Sequence, residues 1–300
     1  AITVINKSLS FSNFEEYNKE IQDISRDEHV KIDVGDLDLL MMRFDPSLEP
    51  PDRDWARFIA IDFGMFAVKE GVIVLNSPEG LSKSRNKLYL QNFPEKIRTD
   101  SIIARDEGEI KKFYDKKNKI IMKPLFGEDG KNIFMVHNKE GPNINQIIEA
   151  LSREGYVIAR EYLKEAEKCY TRIYLMNGVP LYHKGQYAAV KVVHKSGNLK
   201  KIEGNDRYCR VKVTKQMLDI IDIIRPRIIK DGLFLVGLDI ASDKLLELNV
   251  FMPGELVNIE AVTKVDFFDA IIDALERKVE YKELYQSKFN SADNVELAAL

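Results

Sequence analysis

Residues 234–250 decide the fold, and they read FLVGLDIASDKLLELNV. Two apolar runs flank a short polar turn, which predicts an antiparallel pair of strands. Glu247 and Asn249 are two positions apart, so their side chains share one face of the second strand. If residues 242–244 form a three-residue connection, Asp239 lies directly opposite Glu247. Two carboxylates and an amide oxygen on one sheet face then predict a site for Mg²⁺, which takes its remaining ligands from phosphate.

The alternative interpretation of this segment is a hairpin whose acidic side chains face solvent. Asp243, in the polar turn, fits that interpretation. Asp239 and Glu247 are flanked by apolar residues and fit it less well, because carboxylates on an apolar face repel each other unless cations neutralise them.

Residues 119–132 form a second informative segment, which reads KIIMKPLFGEDGKN. Lys123 ends an apolar run and alternates with Ile121, so we expect it on a buried face with an anionic partner. A loop with two glycines follows, and glycines let backbone N–H groups approach phosphate oxygens. Taken alone, the loop also fits a simple hairpin with a solvated connection.

The remaining pattern predicts a mixed α+β protein of short strands and amphipathic helices. Strands are expected at residues 38–42, 72–75, 102–104, 119–123, 133–136, 157–162, 171–176, 181–187, 234–240 and 245–250. Helices are expected at residues 52–69, 84–91, 108–116, 143–153, 214–230 and 265–277.

Composition limits the functional classes. Lys and Arg total 45 against 48 Asp and Glu, a net charge of −3, which gives no general affinity for nucleic acid. Cys169 and Cys209 have neither metal-ligand spacing nor a disulfide framework, which favours a reducing compartment. The sequence has no apolar run of the ~18 residues that span a membrane and no signal peptide, so we expect a cytoplasmic location. The chain begins at Ala1 in a strand-like stretch, and we expect that its natural start lies further upstream.

In order and spacing, several segments resemble the ATP-grasp superfamily, and more closely bacterial glutathione synthetase. The resemblance extends from about Asp38 to Lys278. The segments that carry it are Met42–Pro46, Val74–Pro78, Asn86–Leu88, Ile121–Leu125, Phe234–Ile240 and Glu247–Val250.

This resemblance implies an ADP-forming carboxylate–amine ligase that uses ATP and Mg²⁺, or Mn²⁺ in its place. A substrate carboxylate would be activated as an acyl phosphate and then joined to an amine, as in the joining of γ-glutamylcysteine to glycine. The partners would be small-molecule or peptide substrates, without nucleic acid or membrane, and a homo-oligomer is left open.

The resemblance also implies roles for individual residues. Those expected to contact ATP are Lys87, Lys123, Gly127, Gly130, Lys131, Glu161, Tyr162 and Leu163, with Glu161 accepting from the adenine amino group. Those expected to hold metal ions are Asp239, Glu247 and Asn249. Arg172 and Arg207 would stabilise the transferring phosphoryl group. Those expected to face the substrates are Arg43, Asp45, Asn198, Pro253 and Gly254.

The implied organisation has four parts. Residues 1–78 would form an α/β domain that precedes the ATP-grasp fold and lacks its start. Residues 79–160 would form the central ATP-grasp subdomain, residues 161–283 the C-terminal subdomain with the metal site, and residues 284–300 a polar tail.

The sequence departs from the family pattern mainly on the substrate side. Tyr170 stands where the family has an acidic residue, residues 126–130 carry acids in the loop over the phosphates, and residues 252–254 read Met-Pro-Gly where the family has a serine–proline segment. Two alternatives follow from these departures. One is a ligase for another amino acid or peptide, and the other is a nucleotide-binding module without turnover.

Overall fold

The computed structural model describes residues 2–5, 16, 19, 29–46, 49, 51–125, 133–137, 143–153, 155–194 and 207–285. The chain begins with strand β1 (Ile2–Ile5), which pairs antiparallel with β2 (His29–Ile32). Strand β3 (Leu39–Met41) then pairs in parallel with β4 (Ile73–Leu75), as expected for a βαβ unit. Among the described residues, no helix is long and apolar enough to cross a membrane.

The connection between β3 and β4 differs from the single helix expected at residues 52–69. It is a 3₁₀ helix, Pro51–Ala56, followed by helix α1, Ile59–Lys69. Arg53, within the 3₁₀ segment, has a non-helical φ of −115°, and Phe58, directly before α1, has φ −124° and ψ 4°, which is not helical either. Both residues divide the amphipathic stretch without changing its apolar spacing, so periodicity alone did not show the break.

The region after β4 also contains two helices where one was expected at residues 84–91. Helix α2 (Pro78–Ser84) is capped by Ser77, and a 3₁₀ helix (Lys87–Asn92) is capped by Asn86, whose side chain accepts from Leu88 N at 2.9 Å. The extended backbone of Asn86, with φ −147° and ψ 172°, separates the two and provides the second cap.

A four-stranded antiparallel sheet follows, formed by β5 (Ser101–Ala104), β6 (Lys119–Pro124), β7 (Phe134–His137) and β8 (Val157–Glu161). Its order is β5-β8-β6-β7. Helices α3 (Glu107–Lys117) and α4 (Ile144–Arg153) cover one face and form a core with Ile120, Met122 and Ala159. The other face carries Lys123 and Arg160, which places two cations opposite the larger sheet.

The larger sheet is formed by β9 (Cys169–Met176), β10 (Val179–Pro180), β13 (Ala189–Val193), β14 (Arg207–Cys209), β15 (Leu235–Ala241) and β16 (Lys244–Asn249). Its order is β14-β13-β9-β15-β16, and the short strand β10 pairs with β9. The short helix α5 (Lys164–Lys168) connects the two sheets.

The single strand expected at residues 181–187 is wrong. This stretch forms a hairpin of β11 (Tyr182–His183) and β12 (Gln186–Tyr187), because Lys184 and Gly185 both have positive φ and reverse the chain between them. The next strand along the chain, β13, pairs with β9, and the sequence pattern did not predict it.

Helices cover both faces of the larger sheet. Helix α6 (Lys215–Lys230), which is capped by Thr214, packs its isoleucines against Ile173, Val236 and Leu238. Helices α7 (Leu256–Thr263) and α8 (Phe268–Tyr285) lie on the side of Tyr174 and Leu235. The sequence pattern predicted one helix at residues 265–277. The structure adds α7, and it places the last helix three residues later and extends it to Tyr285.

Lys278 of α8 is buried in this core. Its side chain is 1% exposed, and the Nζ atom has no hydrogen-bond partner among the described residues. The ring centroid of Phe234 lies 5.2 Å from Nζ. Burial, together with the nearby charge of Arg277, lowers the pKa of Lys278 to about 7.

Candidate active site

A β-bulge positions the acidic residues of the β15–β16 hairpin. Ala241 pairs with Lys244, so the turn has two residues, Ser242 and Asp243, and not the three that we expected. A two-residue turn alone would pair Asp239 with Leu246. The register shifts by one residue after Ile240, and Asp239 therefore lies opposite Glu247. The expected pairing is confirmed, but its cause is the bulge.

The bulge also changes which side chains of β16 share a face. Leu245 and Leu248 both contact the core under α6, although they are three positions apart. Glu247 and Asn249 consequently lie on the other face, opposite Asp239 and Gly237. The three oxygen donors thus share one sheet face, as the sequence predicts.

Arg172 on β9 is the cross-strand neighbour of Asp239. Its Nε donates to Asp239 Oδ1, and its Nη2 donates to Asp239 Oδ2 at 2.9 Å. Both residues are 3% exposed. Burial favours the neutral guanidinium, but the charge and hydrogen bonds of Asp239 outweigh burial and raise the pKa of Arg172 well above its ordinary value. Arg172 is therefore a permanent cation beside the acidic residues.

The donor chemistry fits a hard divalent cation. Asn249 Nδ2 donates to the carbonyl oxygen of Gly237 at 3.4 Å, which leaves its amide oxygen as the free ligand atom. The oxygens of Asp239 keep lone pairs beyond those that Arg172 occupies. Within the described residues, no three His, Cys, Asp or Glu side chains converge, and a metal at this place would have two carboxylates and one amide as its protein ligands. Such a set suits an ion that completes its coordination with phosphate and water.

The smaller sheet contributes two cations to the same place. Lys123 Nζ lies 3.8 Å from Glu247 Oε1, and the side chain of Lys123 is 9% exposed. This confirms the expectation of a buried lysine with an anionic partner. Arg160 Nη1 donates to the carbonyl oxygen of Leu246, the residue of the bulge, at 3.1 Å. Burial lowers the pKa of Arg160, and the charges of Glu247 and Asp239 oppose that shift.

A cavity of about 190 Å³ opens beside these residues, between β16 and the segments that follow β3 and α2. This volume is far above the ~10–15 Å³ that one water molecule needs. Its charged and amide lining residues are Asp45, Arg57, Arg85, Asn86, Lys87, Glu247 and Asn249. Four of the predicted site residues, Asp45, Lys87, Glu247 and Asn249, therefore share one cavity.

The predicted adenine segment lies at the end of β8. Glu161 pairs with Ile120, which places its side chain on the helix-covered face of the smaller sheet, opposite to that of Lys123. Its carboxylate contacts Lys117 Nζ at 3.0 Å. Tyr162 packs its ring 3.5 Å from Lys119 Nζ, and burial, together with Glu167, raises its pKa to about 12. Leu163 precedes α5 and packs against the core of the larger sheet.

The other predicted residues are more dispersed. Arg207 begins the edge strand β14 and pairs with Val193, a position on the face opposite to that of Arg172. Arg43 lies beside Asn76 and Pro253 in a smaller depression, which borders the cavity that Asp45 lines at Val250 and Phe251. Gly127, Gly130, Lys131 and Asn198 lie outside the described residues.

Comparison with known proteins shows the family of this chain. Residues 86–264 match the ATP-grasp domain of prokaryotic glutathione synthetase. A glutathione synthetase of Shewanella oneidensis is 31% identical over 248 residues, which cover 82% of this chain and 75% of that protein. The chain belongs to the prokaryotic glutathione synthetase family.

Further relatives agree with this assignment. A glutathione synthetase of Vibrio vulnificus is 31% identical over 254 residues, covering 83% of this chain and 76% of that protein. The glutathione synthetase family resemblance that the sequence predicts is confirmed, and the chain is an ATP-dependent, ADP-forming ligase of the glutathione synthetase type. Membership also implies the use of ATP and a divalent metal.

Solved structures confirm the α+β ATP-grasp fold. D-cycloserine synthetase DcsG superimposes with a TM-score of 0.58 at 12% identity, covering 82% of this chain and 86% of that one. The ATP-grasp ligase PsnB, complexed with a minimal precursor, Mg and ADP, gives a TM-score of 0.56 at 18% identity, covering 80% and 77%. At these identities the likeness concerns the fold alone.

Two residues of this family member were not predicted as parts of the site. Arg160 lies in a segment that the sequence pattern marks only as a strand end. Its hydrogen bond is made to Leu246, the bulge residue of the other sheet, which the sequence pattern did not show. Tyr174 donates to the carbonyl oxygens of Pro253, at 2.6 Å, and of Gly254. Its alternation with Arg172 on β9 was the available signal, because residues two apart on a strand face the same way.

Proposed function

We propose that this glutathione synthetase family member joins γ-glutamylcysteine to glycine, with ATP as phosphoryl donor and Mg²⁺ as the metal. The supporting observation is the face shared by Asp239, Glu247 and Asn249, with Lys123 of the other sheet 3.8 Å from Glu247. The name glutathione synthetase, which the relatives described above carry, motivates this choice of substrates.

In this proposal the ATP phosphates lie between the two sheets. Lys123 and Lys87 bind them, and residues 127–131, with Gly127, Gly130 and Lys131, close over them. The chain from Glu161 through Tyr162 to Leu163 borders the adenine. Because the Glu161 carboxylate is paired with Lys117, we assign the contacts to adenine to backbone groups of this segment rather than to that carboxylate.

Asp239, Glu247 and Asn249 would hold Mg²⁺, which neutralises phosphate charge and orients the transferring group when bound. Arg172 lies beside these ligands, where its fixed charge stabilises the acyl phosphate made when the substrate carboxylate attacks the γ-phosphorus. The family resemblance assigns the same role to Arg207, which lies on the other face of the larger sheet and would have to reach the intermediate around the edge strand β14. The amine then displaces phosphate and forms the amide.

The substrates would occupy the cavity and its border. Asp45 and Arg43 face the acyl donor, and Asn198 belongs to the loop that covers it. Pro253 and Gly254, whose carbonyl oxygens Tyr174 fixes, border the amine. We further propose a division at residues 78, 160 and 283 into an N-terminal domain, two ATP-grasp subdomains and a tail, with a cytoplasmic location; the oligomeric state stays open.

The test is ADP release by the purified chain with Mg–ATP, γ-glutamylcysteine and a panel of amine acceptors. We expect turnover that depends on glycine. Turnover with another amine and none with glycine would contradict the proposed acceptor. Nucleotide binding without ADP release for any acceptor would contradict the proposed reaction.

The metal site is tested with Glu247→Gln. We expect kcat to fall on the order of 10²-fold or more, because the change removes a charged ligand of the metal that neutralises the phosphates. The matched control is Asp243→Asn, in the turn of the same hairpin, whose side chain is 60% exposed. Equal activity of the two variants would contradict the assignment of Glu247.

A further inference from the structure

Two arginines of the cavity wall have no role in the reaction proposed above. Arg57 follows the 3₁₀ helix at residues 51–56, and Arg85 follows α2. Both line the cavity together with Asp45, and Glu247 and Asn249 line it as well. The cavity therefore has a cationic region in addition to its metal-binding residues.

The guanidinium of Arg57 is incompletely satisfied. Its Nε atom is buried and has no hydrogen-bond acceptor among the described residues, although Asp54 Oδ1 lies 2.9 Å away. The contact is close but misaligned, and the Asp54 side chain is 75% exposed. A buried donor without an acceptor costs free energy, which an anionic ligand on the same guanidinium offsets.

Arg85 differs from Arg53 and Arg153, each of which lies within 4 Å of a glutamate one helical turn away. Arg85 has no acidic partner among the described residues, and it is exposed at the cavity. Two guanidinium groups without a well-aligned carboxylate in one cavity suit a carboxylate ligand, which they bind with two parallel hydrogen bonds.

We infer that Arg57 and Arg85 bind a second carboxylate of the acyl donor, the one that is not activated, while Asp45 binds the adjacent ammonium group. This inference rests on the proposed function and names the end of the substrate that the cavity recognises. A γ-linked glutamyl group carries its α-carboxylate and α-ammonium on the same carbon atom. An α-linked glutamyl group separates its free carboxylate from its ammonium group by the side chain. The arrangement of two arginines and one aspartate therefore selects the γ-linked dipeptide.

The experiment compares three acyl donors under Mg–ATP and glycine. They are γ-glutamylcysteine, 4-aminobutyrylcysteine, which lacks the α-carboxylate, and glutarylcysteine, which lacks the ammonium group. Wild type should lose about 10- to 100-fold in kcat/KM with either analogue, as expected for a lost hydrogen bond to a charged group. ADP release is measured for wild type and for Arg57→Met, Arg85→Met and Asp45→Asn.

The arginine variants should be about 10- to 100-fold less active with γ-glutamylcysteine, and should discriminate little between it and 4-aminobutyrylcysteine. They should still discriminate against glutarylcysteine. Asp45→Asn should show the reverse pattern. The KM for ATP should be unchanged in all three, which verifies that each variant is folded. Arg53→Met, which alters an arginine outside the cavity, is the matched control and should behave as wild type.

Two failures are distinguishable. Absence of wild-type turnover with γ-glutamylcysteine and glycine overturns the proposed function, and with it this assignment. Normal wild-type turnover, with arginine variants that still discriminate fully against 4-aminobutyrylcysteine, overturns only the assignment of Arg57 and Arg85. An unchanged preference of Asp45→Asn for γ-glutamylcysteine over glutarylcysteine overturns the assignment of Asp45.

Discussion

Replacing Lys278 with methionine should stabilise the protein, and the gain should depend on pH. The pKa of Lys278 is about 7 in the folded protein, below its ordinary value of 10.5. The unfolded chain therefore binds the proton more tightly, and wild-type stability rises as pH increases from about 7 towards 10.5. One pKa unit corresponds to about 1.36 kcal/mol, so burying this lysine costs about 5 kcal/mol at pH 6 and about 2 kcal/mol at pH 9. Methionine keeps the apolar part of the side chain and removes this cost.

The assay is guanidinium unfolding followed by far-ultraviolet circular dichroism at pH 6, 7.5 and 9. The free energy of unfolding of the variant should exceed that of wild type most at pH 6, and the difference should shrink with rising pH. Lys282→Met is the control, because Lys282 lies near the end of the same helix, is only half-buried and donates a hydrogen bond to the Gly71 carbonyl oxygen. Its effect should be the same at each pH. The reasoning would be refuted if the free energy of unfolding of Lys278→Met exceeded that of wild type by the same amount at all three pH values.

Two further predictions concern the active site. Arg160→Met should raise the Mg²⁺ concentration for half-maximal activity several-fold, because the Leu246 carbonyl of the bulge loses its donor and Glu247 is positioned less firmly. A lower Mg²⁺ concentration for half-maximal activity would contradict this prediction, and would show that Arg160 acts only as a neighbouring positive charge. Gly237→Ala should lower the free energy of unfolding by about 1–3 kcal/mol and reduce kcat more than ATP affinity. An added Cβ would lie 3.3 Å from Arg172 Cδ, and unchanged stability and kcat would contradict this crowding.

The sequence predicted the site best where one face of one strand carries the signal. The burial of Lys123 and the common face of Glu247 and Asn249 both follow from two-residue alternation. The pairing of Asp239 with Glu247 was also predicted, but from a loop length that the structure does not have. The carbonyl oxygen of the bulge residue Leu246 accepts a hydrogen bond from Arg160 of another sheet, and alternation within one strand carries no information about such contacts.

Elements set by local backbone conformation were harder to predict. The periodicity of residues 52–69 continues through a break at Arg53 and Phe58, so the pattern predicted one helix. Strand β13 was missed because the hairpin before it appeared to be the strand itself. Arg207 shows the same limit for the site: its residue type fits the family, but only its register on the edge strand shows which face it occupies.

The extra residue of β16 makes the bulge of this hairpin a functional constraint. With the same two-residue turn and the same sequence, a regular ladder would pair Asp239 with Leu246 and exchange the two faces of the strand beyond Leu245. Glu247 would then lie on the side of the core under α6, and a leucine would take its place beside Asp239. Loss of the bulge, although it removes no acidic side chain of the site, should therefore abolish catalysis as completely as deleting Glu247 itself.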